Sequence, residues 1–203
     1  MLGAAQFEVI WAVEDKGFNP NTFGQINGWI FVVFGVLGSL FGGIASDWTL
    51  RKYNLPRTWF LLILTLLFMP LAFTRYLDTD SILFWVGICS SAFSLGCFYG
   101  PVFAVIQELV PPTIKGTVVA FNLLCLNMLG IALGSILFGI LADYAVTQGY
   151  ENPYTNLLVG FSCVFLVFGP ILYYLAGRFY EQDKKALIAV SYTHLTLPTI
   201  MSV

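Results

Sequence analysis

The sequence contains few charged residues and a single histidine. Charged side chains make up 10% of its 203 residues, whereas a soluble domain carries about 25% to cover its surface. The net charge of −2 is too small to indicate a nucleic-acid partner. Because His194 is the only histidine, triads and metal sites built on clustered histidines are excluded. We therefore predict no catalytic residue, no metal site and no cofactor.

The sequence is rich in long apolar runs. Apolar residues make up 58% of the chain, and the mean hydropathy is +0.83. Crossing the hydrocarbon core of a bilayer takes about 20 apolar residues. Runs of that length or longer lie at 24–46, 82–106, 117–142 and 157–176, and a shorter run at 58–73 is also predicted to span because no charge interrupts it. A shorter apolar piece, 1–13, precedes them and is expected to be a truncated membrane helix. The sequence predicts an all-α integral membrane protein with several spans in the lipid bilayer.

Basic residues are distributed unequally between the two sides of the predicted membrane. If the spans alternate in direction, one side receives Arg51, Lys52, Arg57, Lys115, Arg178, Lys184 and Lys185. The opposite side receives Lys16 and Arg75. Cytoplasmic loops carry the excess of basic residues. We therefore expect the first group and the carboxy-terminus in the cytoplasm, with the protein in the plasma (inner) membrane.

Two of the spans end in similar segments. Residues 37–47 and 133–143 share Leu, Gly, Ser, Gly, Ile and Asp at equivalent positions. An odd number of crossings separates them, so the two helices run antiparallel. Such an arrangement indicates two three-helix units of inverted topology, which many secondary transporters use. The alternative is chance similarity between glycine-rich membrane helices.

Small residues recur along the same two spans. Gly38 and Gly42 are four residues apart, as are Gly130 and Gly134, so each pair is expected to share one helix face. Small residues on one face let membrane helices approach closely. We predict helix packing at these four positions and at Gly139.

One segment carries the resemblance to a known family. Residues 43–52 resemble the cytoplasmic signature loop of the major facilitator superfamily, which joins the second and third helices of each six-helix half. The segment has the family's first glycine, its aspartate and its basic pair at Gly43, Asp47, Arg51 and Lys52. It departs at Trp48, where the family usually has a basic residue, and at Leu50, where it often has glycine.

The resemblance extends over about 1–185. Residues 99–116 are similar to the tenth helix of the family and the loop that follows it. The resemblance implies the carboxy-terminal half of a twelve-helix transporter, a fragment that lacks its amino-terminal half. The implied fold is a six-helix half bundle of two inverted three-helix repeats. The chain is then divided into a truncated seventh helix at 1–13, helices eight to twelve at 24–185, and a non-native or disordered tail at 186–203.

Charged residues at the predicted cytoplasmic end form a second candidate group. Asp47 and Arg51 are close enough in sequence to form a charge-assisted hydrogen bond, and Glu108 is expected to pair with Lys115 or Arg51. With Gly43 and Lys52, these residues are the predicted signature-loop and gating group, which would latch neighbouring helices in one transport state. The alternative is solvated surface pairs that contribute less than about 1 kcal/mol.

Polar residues inside the spans are the candidate substrate site, because polarity at membrane depth is expensive. By the resemblance, helices seven and ten face the substrate cavity. They carry Gln6, Glu8, Trp11, Ser91, Ser94, Phe98, Tyr99 and Phe103. Glu8 is either a proton or sodium coupling group or an interfacial carboxylate. A helix-packing stripe is the alternative for the residues of helix ten.

The predicted function is secondary active transport of a small organic solute by alternating access, coupled to a proton or sodium gradient. The alternative is a polytopic scaffold or receptor without flux. An enzyme is not predicted.

Overall fold

The computed structural model describes residues 2–196, and no strand occurs among them. The α-helices are α1 (Leu2–Ala5), α2 (Glu8–Glu14), α3 (Pro20–Tyr53), α4 (Arg57–Phe68), α5 (Ile82–Glu108), α6 (Lys115–Cys125), α7 (Leu133–Thr147) and α8 (Pro153–Thr196). A 3-10 helix (Met69–Tyr76) continues α4, another (Pro112–Ile114) precedes α6, and a π-helix (Leu126–Ala132) joins α6 to α7. Five helical segments are long and apolar enough to cross a membrane: Pro20–Tyr53, Arg57–Tyr76, Ile82–Glu108, Pro112–Thr147 and Pro153–Tyr180. The predicted all-α membrane architecture is confirmed.

The first full span has clear sequence signals at both ends. The Asn19 side chain accepts hydrogen bonds from the backbone N–H groups of Asn21 and Thr22 at 3.0 and 3.4 Å and caps α3. The helix stops at Asn54, whose φ of 50° is the left-handed conformation that commonly ends helices, and Pro56 follows. The helix therefore continues past the end of the predicted span 24–46, as far as Tyr53.

Helix packing relates the two predicted repeats. On α3, a Cβ added to Gly42 would lie 2.7 Å from Cys97 Cα, so α3 and α5 touch through their backbones. On α7, Gly134 occupies the position equivalent to Gly38 and contacts Gly3 of α1. Thus the second helix of each unit packs on the first helix of the other, as an inverted repeat requires. The third helices, α4 and α8, pack on each other.

The predicted packing glycines differ in their surroundings. Gly38 and Gly42 are buried against α5, and a Cβ on Gly139 would lie 3.8 Å from the ring of Phe7. Gly130 is different: a Cβ there would meet no atom of the described chain within 4 Å, so packing at this position stays a prediction. Gly130 lies in the π-helix and lines the large cavity described below.

The end of the chain also differs from the expectation. Helix α8 continues to Thr196, so the backbone of 186–196 is helical where disorder was expected. Residues 197–203 lie outside the described residues. The proposed division at 13, 24 and 185 stays a prediction.

An aromatic core lies at one end of the bundle, here called the Asp15 end. Trp11 contacts Phe23 with ring centroids 6.4 Å apart and Phe84 at 5.8 Å. Phe138 of α7 and Leu158 of α8 belong to the same buried cluster. This cluster fixes α2 against α3, α5 and α8. The opposite end, where α3 meets α4, is called the Asp47 end.

Candidate functional site

A cavity of about 400 Å³ lies between α2, α3, α5, the π-helix and α8. Six aromatic side chains line it: Phe31, Phe98, Tyr99, Phe103, Phe165 and Tyr173. Phe98 lies 6.3 Å from Tyr173, ring to ring, and Tyr99 lies at the same distance from Phe103. Ligand pockets are mostly apolar with a few placed polar groups, and this wall can hold an apolar organic molecule.

Three polar side chains that are not aromatic also line the cavity: Glu8, Ser91 and Ser94. The Ser91 hydroxyl donates to the carbonyl of Ile88 at 2.8 Å and lies 3.5 Å from Glu8 Oε1. The Ser94 hydroxyl donates to the carbonyl of Ser91 at 3.0 Å. Six of the eight residues expected from sequence to line a cavity do line this one.

The other two expected residues lie elsewhere. The Gln6 side-chain oxygen accepts a hydrogen bond from Ser135 of α7 at 3.0 Å. Trp11 is fully buried and donates its indole N–H to Thr155 Oγ1 at 2.8 Å. Helices α1 and α2 are separated by a turn at Gln6 and Phe7. The Gln6 side chain binds α7 and the Trp11 ring lies in the aromatic core, so neither lines the cavity that Glu8 faces.

Glu8 forms a buried ion pair that the sequence did not predict. Arg75 donates from its terminal nitrogen to Glu8 Oε1 at 2.6 Å, and the two side chains are 9% and 4% exposed. The Arg75 guanidinium carbon lies 5.6 Å from the Trp11 ring centroid, a cation–π arrangement. Arg75 was assigned to a loop, whereas it lies in the 3-10 helix that extends the second span. The sequence feature that could have indicated this position is the apolar run directly before Arg75.

A smaller cavity of about 40 Å³ lies behind this pair. Glu8 lines both cavities, while Arg75 lines only the small one, together with Leu158 and Ser162 of α8. Two buried polar atoms at this place, Glu8 Oε2 and Arg75 Nε, have no hydrogen-bond partner within the part of the chain that the structure describes. Glu8 and Ala5, which line both cavities, therefore lie between the large cavity and the guanidinium.

Asp15 joins the end of α2 to the start of α8. Its Oδ2 accepts from the Thr155 backbone N–H at 2.5 Å and from the Thr155 hydroxyl at 2.7 Å. The same hydroxyl accepts from Trp11, so Thr155 connects the cap of α8 to the aromatic core. A carboxylate at a helix N-terminus is stabilising because backbone N–H groups there lack partners within the helix.

Replacing Thr155 with valine is expected to destabilise the protein by about 1–3 kcal/mol, because it leaves the buried Trp11 N–H without an acceptor. Thermal unfolding in detergent measures the change. The matched control is Thr147→Val, since the Thr147 hydroxyl is exposed and only donates to the carbonyl of Tyr144 in its own helix. Equal shifts for the two variants would contradict the assigned role of Thr155.

A second charged network lies at the Asp47 end. Arg57 at the start of α4 donates to Asp47 Oδ1 at 2.7 Å and to Glu108 Oε1. The Tyr180 hydroxyl donates to the other oxygen of Glu108. The network joins α3, α4, α5 and α8.

The predicted partners at this end were wrong. Asp47 and Glu108 share Arg57, not Arg51 or Lys115. Arg51 is exposed, and Lys52 stacks over the Trp48 ring at 4.8 Å. The reason is the short connection after α3, which brings the first residue of α4 close to Asp47.

The remaining members of the predicted gating group stand apart from the network. Lys115 begins α6. A Cβ on Gly43 would meet no atom within 4 Å. Arg57 and Tyr180 complete the network instead; the sequence signal for Arg57 was a basic residue directly after Pro56.

Comparison with known proteins gives one match. A family model described as Major Facilitator Superfamily matches residues 5–135, from α1 to the start of α7. No curated protein and no solved structure matches the chain. The matched range contains Glu8, Arg75 and most of the cavity wall.

Proposed function

Because the chain belongs to the major facilitator superfamily and is a multi-pass membrane protein of transport function, we propose that it works in a secondary active transporter for a small organic solute. The solute crosses by alternating access and is coupled to a proton or sodium gradient. An amino-terminal half supplies the opposite wall of the cavity. The transporter lies in the plasma (inner) membrane with the carboxy-terminus of this chain in the cytoplasm.

The observation that carries the proposal is the cavity itself. Residues from all five candidate membrane spans line it, its wall is aromatic, and Glu8 of the buried ion pair lies at one side. Polar and charged groups inside a membrane are costly and mark solute or ion pathways. A scaffold requires only helix packing, which does not account for a cavity of this kind.

The two least buried spans, Pro20–Tyr53 and Pro112–Thr147, support a partner half. Each contributes to the cavity edge, through Phe31 from α3 and through Leu126 and Gly130 from the π-helix. A second bundle placed on these spans would close the cavity.

Filling the cavity tests the proposal. The complete reading frame containing this chain, reconstituted in proteoliposomes, is expected to take up organic solutes, and Gly130→Trp to abolish uptake by placing an indole in the cavity. Gly160→Trp is the matched control, because Gly160 is exposed on α8 with no atom within 4 Å of a Cβ. Normal uptake by a folded Gly130→Trp variant would contradict the assigned pathway, and no uptake by the parent protein would favour a scaffold. The isolated chain should not transport.

A further inference from the structure

We propose that the solute is an apolar organic anion cotransported with a proton, and that its anionic group replaces the Glu8 carboxylate on the Arg75 guanidinium. The inference rests on the proposed transport function and names its substrate class and coupling ion. It begins from the charge balance of the buried pair.

The buried guanidinium requires an anion beside it. An arginine side chain stays protonated in proteins, and Arg75 is 9% exposed in the ion pair. Removing one member of a buried pair strongly destabilises a protein, because the other charge is left uncompensated. While Arg75 is buried, it must keep Glu8 or accept another anion.

The need for an anion beside Arg75 distinguishes between cationic, neutral and anionic solutes. A sodium ion or cationic solute that bound Glu8 would draw the carboxylate away from Arg75, and the nearby guanidinium would repel it. A neutral solute would leave the pair intact and give Glu8 no role. A proton on Glu8 together with an anion on Arg75 keeps the site neutral. Among uncharged and singly charged solutes, only this last combination uses both residues without exposing an unpaired charge.

The geometry offers a route for the exchange. Two residues line both the large cavity and the cavity that contains Arg75, and Glu8 is the polar one; the other is Ala5. A protonated Glu8 can donate to the Ser91 hydroxyl, which lies 3.5 Å from Glu8 Oε1 in the ion-paired state. Arg75 Nε has no hydrogen-bond partner among the described residues, so the guanidinium has a donor free for an anion that binds through two oxygens.

The surrounding groups do not supply a competing charge. Besides Glu8 and Arg75, the described polar side chains lining the two cavities are the hydroxyls of Ser91, Ser94 and Ser162 and the phenols of Tyr99 and Tyr173. On α2 and just after it, Glu14 is exposed, Asp15 binds Thr155, and Lys16 donates to the carbonyl of Leu77 at 3.0 Å. The aromatic wall then receives the apolar body of the solute.

The cycle balances in charge and atoms. A proton forms an O–H bond with the Glu8 carboxylate, and the Glu8–Arg75 pair breaks as the solute anion pairs with Arg75. After the cavity opens to the other side, the anion leaves, Glu8 releases its proton to that side, and the original pair forms again. One proton and one monovalent anion cross together, and no net charge moves.

Matched permanently charged solutes test the inference in proteoliposomes containing the complete reading frame. Three sets share an aryl body: aryl sulfonates, aryl trimethylammonium ions and uncharged aryl glucosides. The expected result is uptake of the sulfonates alone, driven by a proton gradient and insensitive to membrane voltage. Uptake of the ammonium ions or glucosides, or sulfonate uptake independent of protons, would overturn the inference and leave the transport function in place. No uptake of any set would overturn both.

Variants at the pair give a second measurement. Glu8→Gln imitates the protonated side chain, so sulfonate exchange across the membrane should persist while the response to a proton gradient is lost. Because Arg75 lacks its anion in this variant, sulfonate should raise its melting temperature more than that of the parent. The double variant Glu8→Gln/Arg75→Gln leaves no unpaired charge and should lose sulfonate exchange. Glu14→Gln, exposed on the same helix, should match the parent; a Glu8→Gln protein that still follows the proton gradient contradicts the inference.

Discussion

Replacing Gly42 with alanine is expected to destabilise the protein by about 1–3 kcal/mol, the cost typical of overpacking a well-packed interior. The added Cβ would lie 2.7 Å from Cα and 2.8 Å from the carbonyl carbon of Cys97. Both atoms belong to the backbone of α5, so no change of side-chain rotamer relieves the contact. Helices α3 and α5 form the most extensive packing contact among the described elements. The two helices must therefore separate to accept the methyl group.

Thermal unfolding in detergent, followed by size-exclusion chromatography, measures this loss. Gly160→Ala is the matched control, since a Cβ on this exposed α8 glycine would meet no atom within 4 Å. Alanine favours helix over glycine by up to about 1 kcal/mol, so the control should be neutral or slightly stabilising. Similar losses from both substitutions would show that α3 and α5 do not pack as described.

In the other repeat, the equivalent contact joins Gly3 of α1 and Gly134 of α7. Alanine is expected to destabilise the protein at Gly3 and to be tolerated at Gly134. A Cβ on Gly3 would lie 2.6 Å from the carbonyl carbon of Gly134, whereas a Cβ on Gly134 would lie 3.5 Å from Gly3 Cα, an ordinary contact. An added methyl group is therefore expected to clash on α1 and to fit on α7. An inverted repeat relates the positions of these glycines without making their surroundings identical.

The spans and most of the cavity could be predicted from the sequence because both depend on local patterns. Apolar length located five membrane helices, and the residues of helix ten that face the cavity recur at short spacings along one helix. The ends of the helices were harder to predict from the sequence. Hydropathy falls after Ser46, yet α3 continues to Tyr53 because the chain offers no stop before Asn54 and Pro56.

The partners of the charged residues could not be predicted in this way. Glu8 and Arg75 are 67 positions apart, and Arg57 and Glu108 are 51 apart, so their contacts depend on how the helices pack. Both arginines border apolar runs, where hydropathy assigned them to loops. The π-helix was also missed, because Leu126–Ala132 has no proline or charge to mark a change of helical phase.

Replacing Arg57 with glutamine is expected to destabilise the protein by about 2 kcal/mol. Hydrogen bonds to charged groups contribute about 1.5–3 kcal/mol each when buried; the partial exposure of Asp47, 48%, and of Glu108, 28%, reduces the sum. Without Arg57, Glu108 keeps Tyr180 as a donor, while Asp47 loses its ion-pair partner. The same thermal measurement applies, with Arg51→Gln as the matched control, because Arg51 is exposed on α3 and solvated arginines contribute little. Equal shifts at both positions would contradict the network.

The position of the Asp47-end network within the bundle also distinguishes between two roles, a structural one and a role in the transport cycle. Its members lie on α3, α4, α5 and α8, which come from both three-helix units of the same half bundle, so the network can stay intact while the half bundle moves as a body. If it is such an internal clamp, Arg57→Gln and the milder Asp47→Asn should lower stability while each folded molecule transports at the parental rate. If it is a latch that opens during the cycle, Asp47→Asn should change the transport rate at normal expression. Because both carboxylates that pair with Arg57, those of Asp47 and Glu108, lie in this same half bundle, the first result is expected.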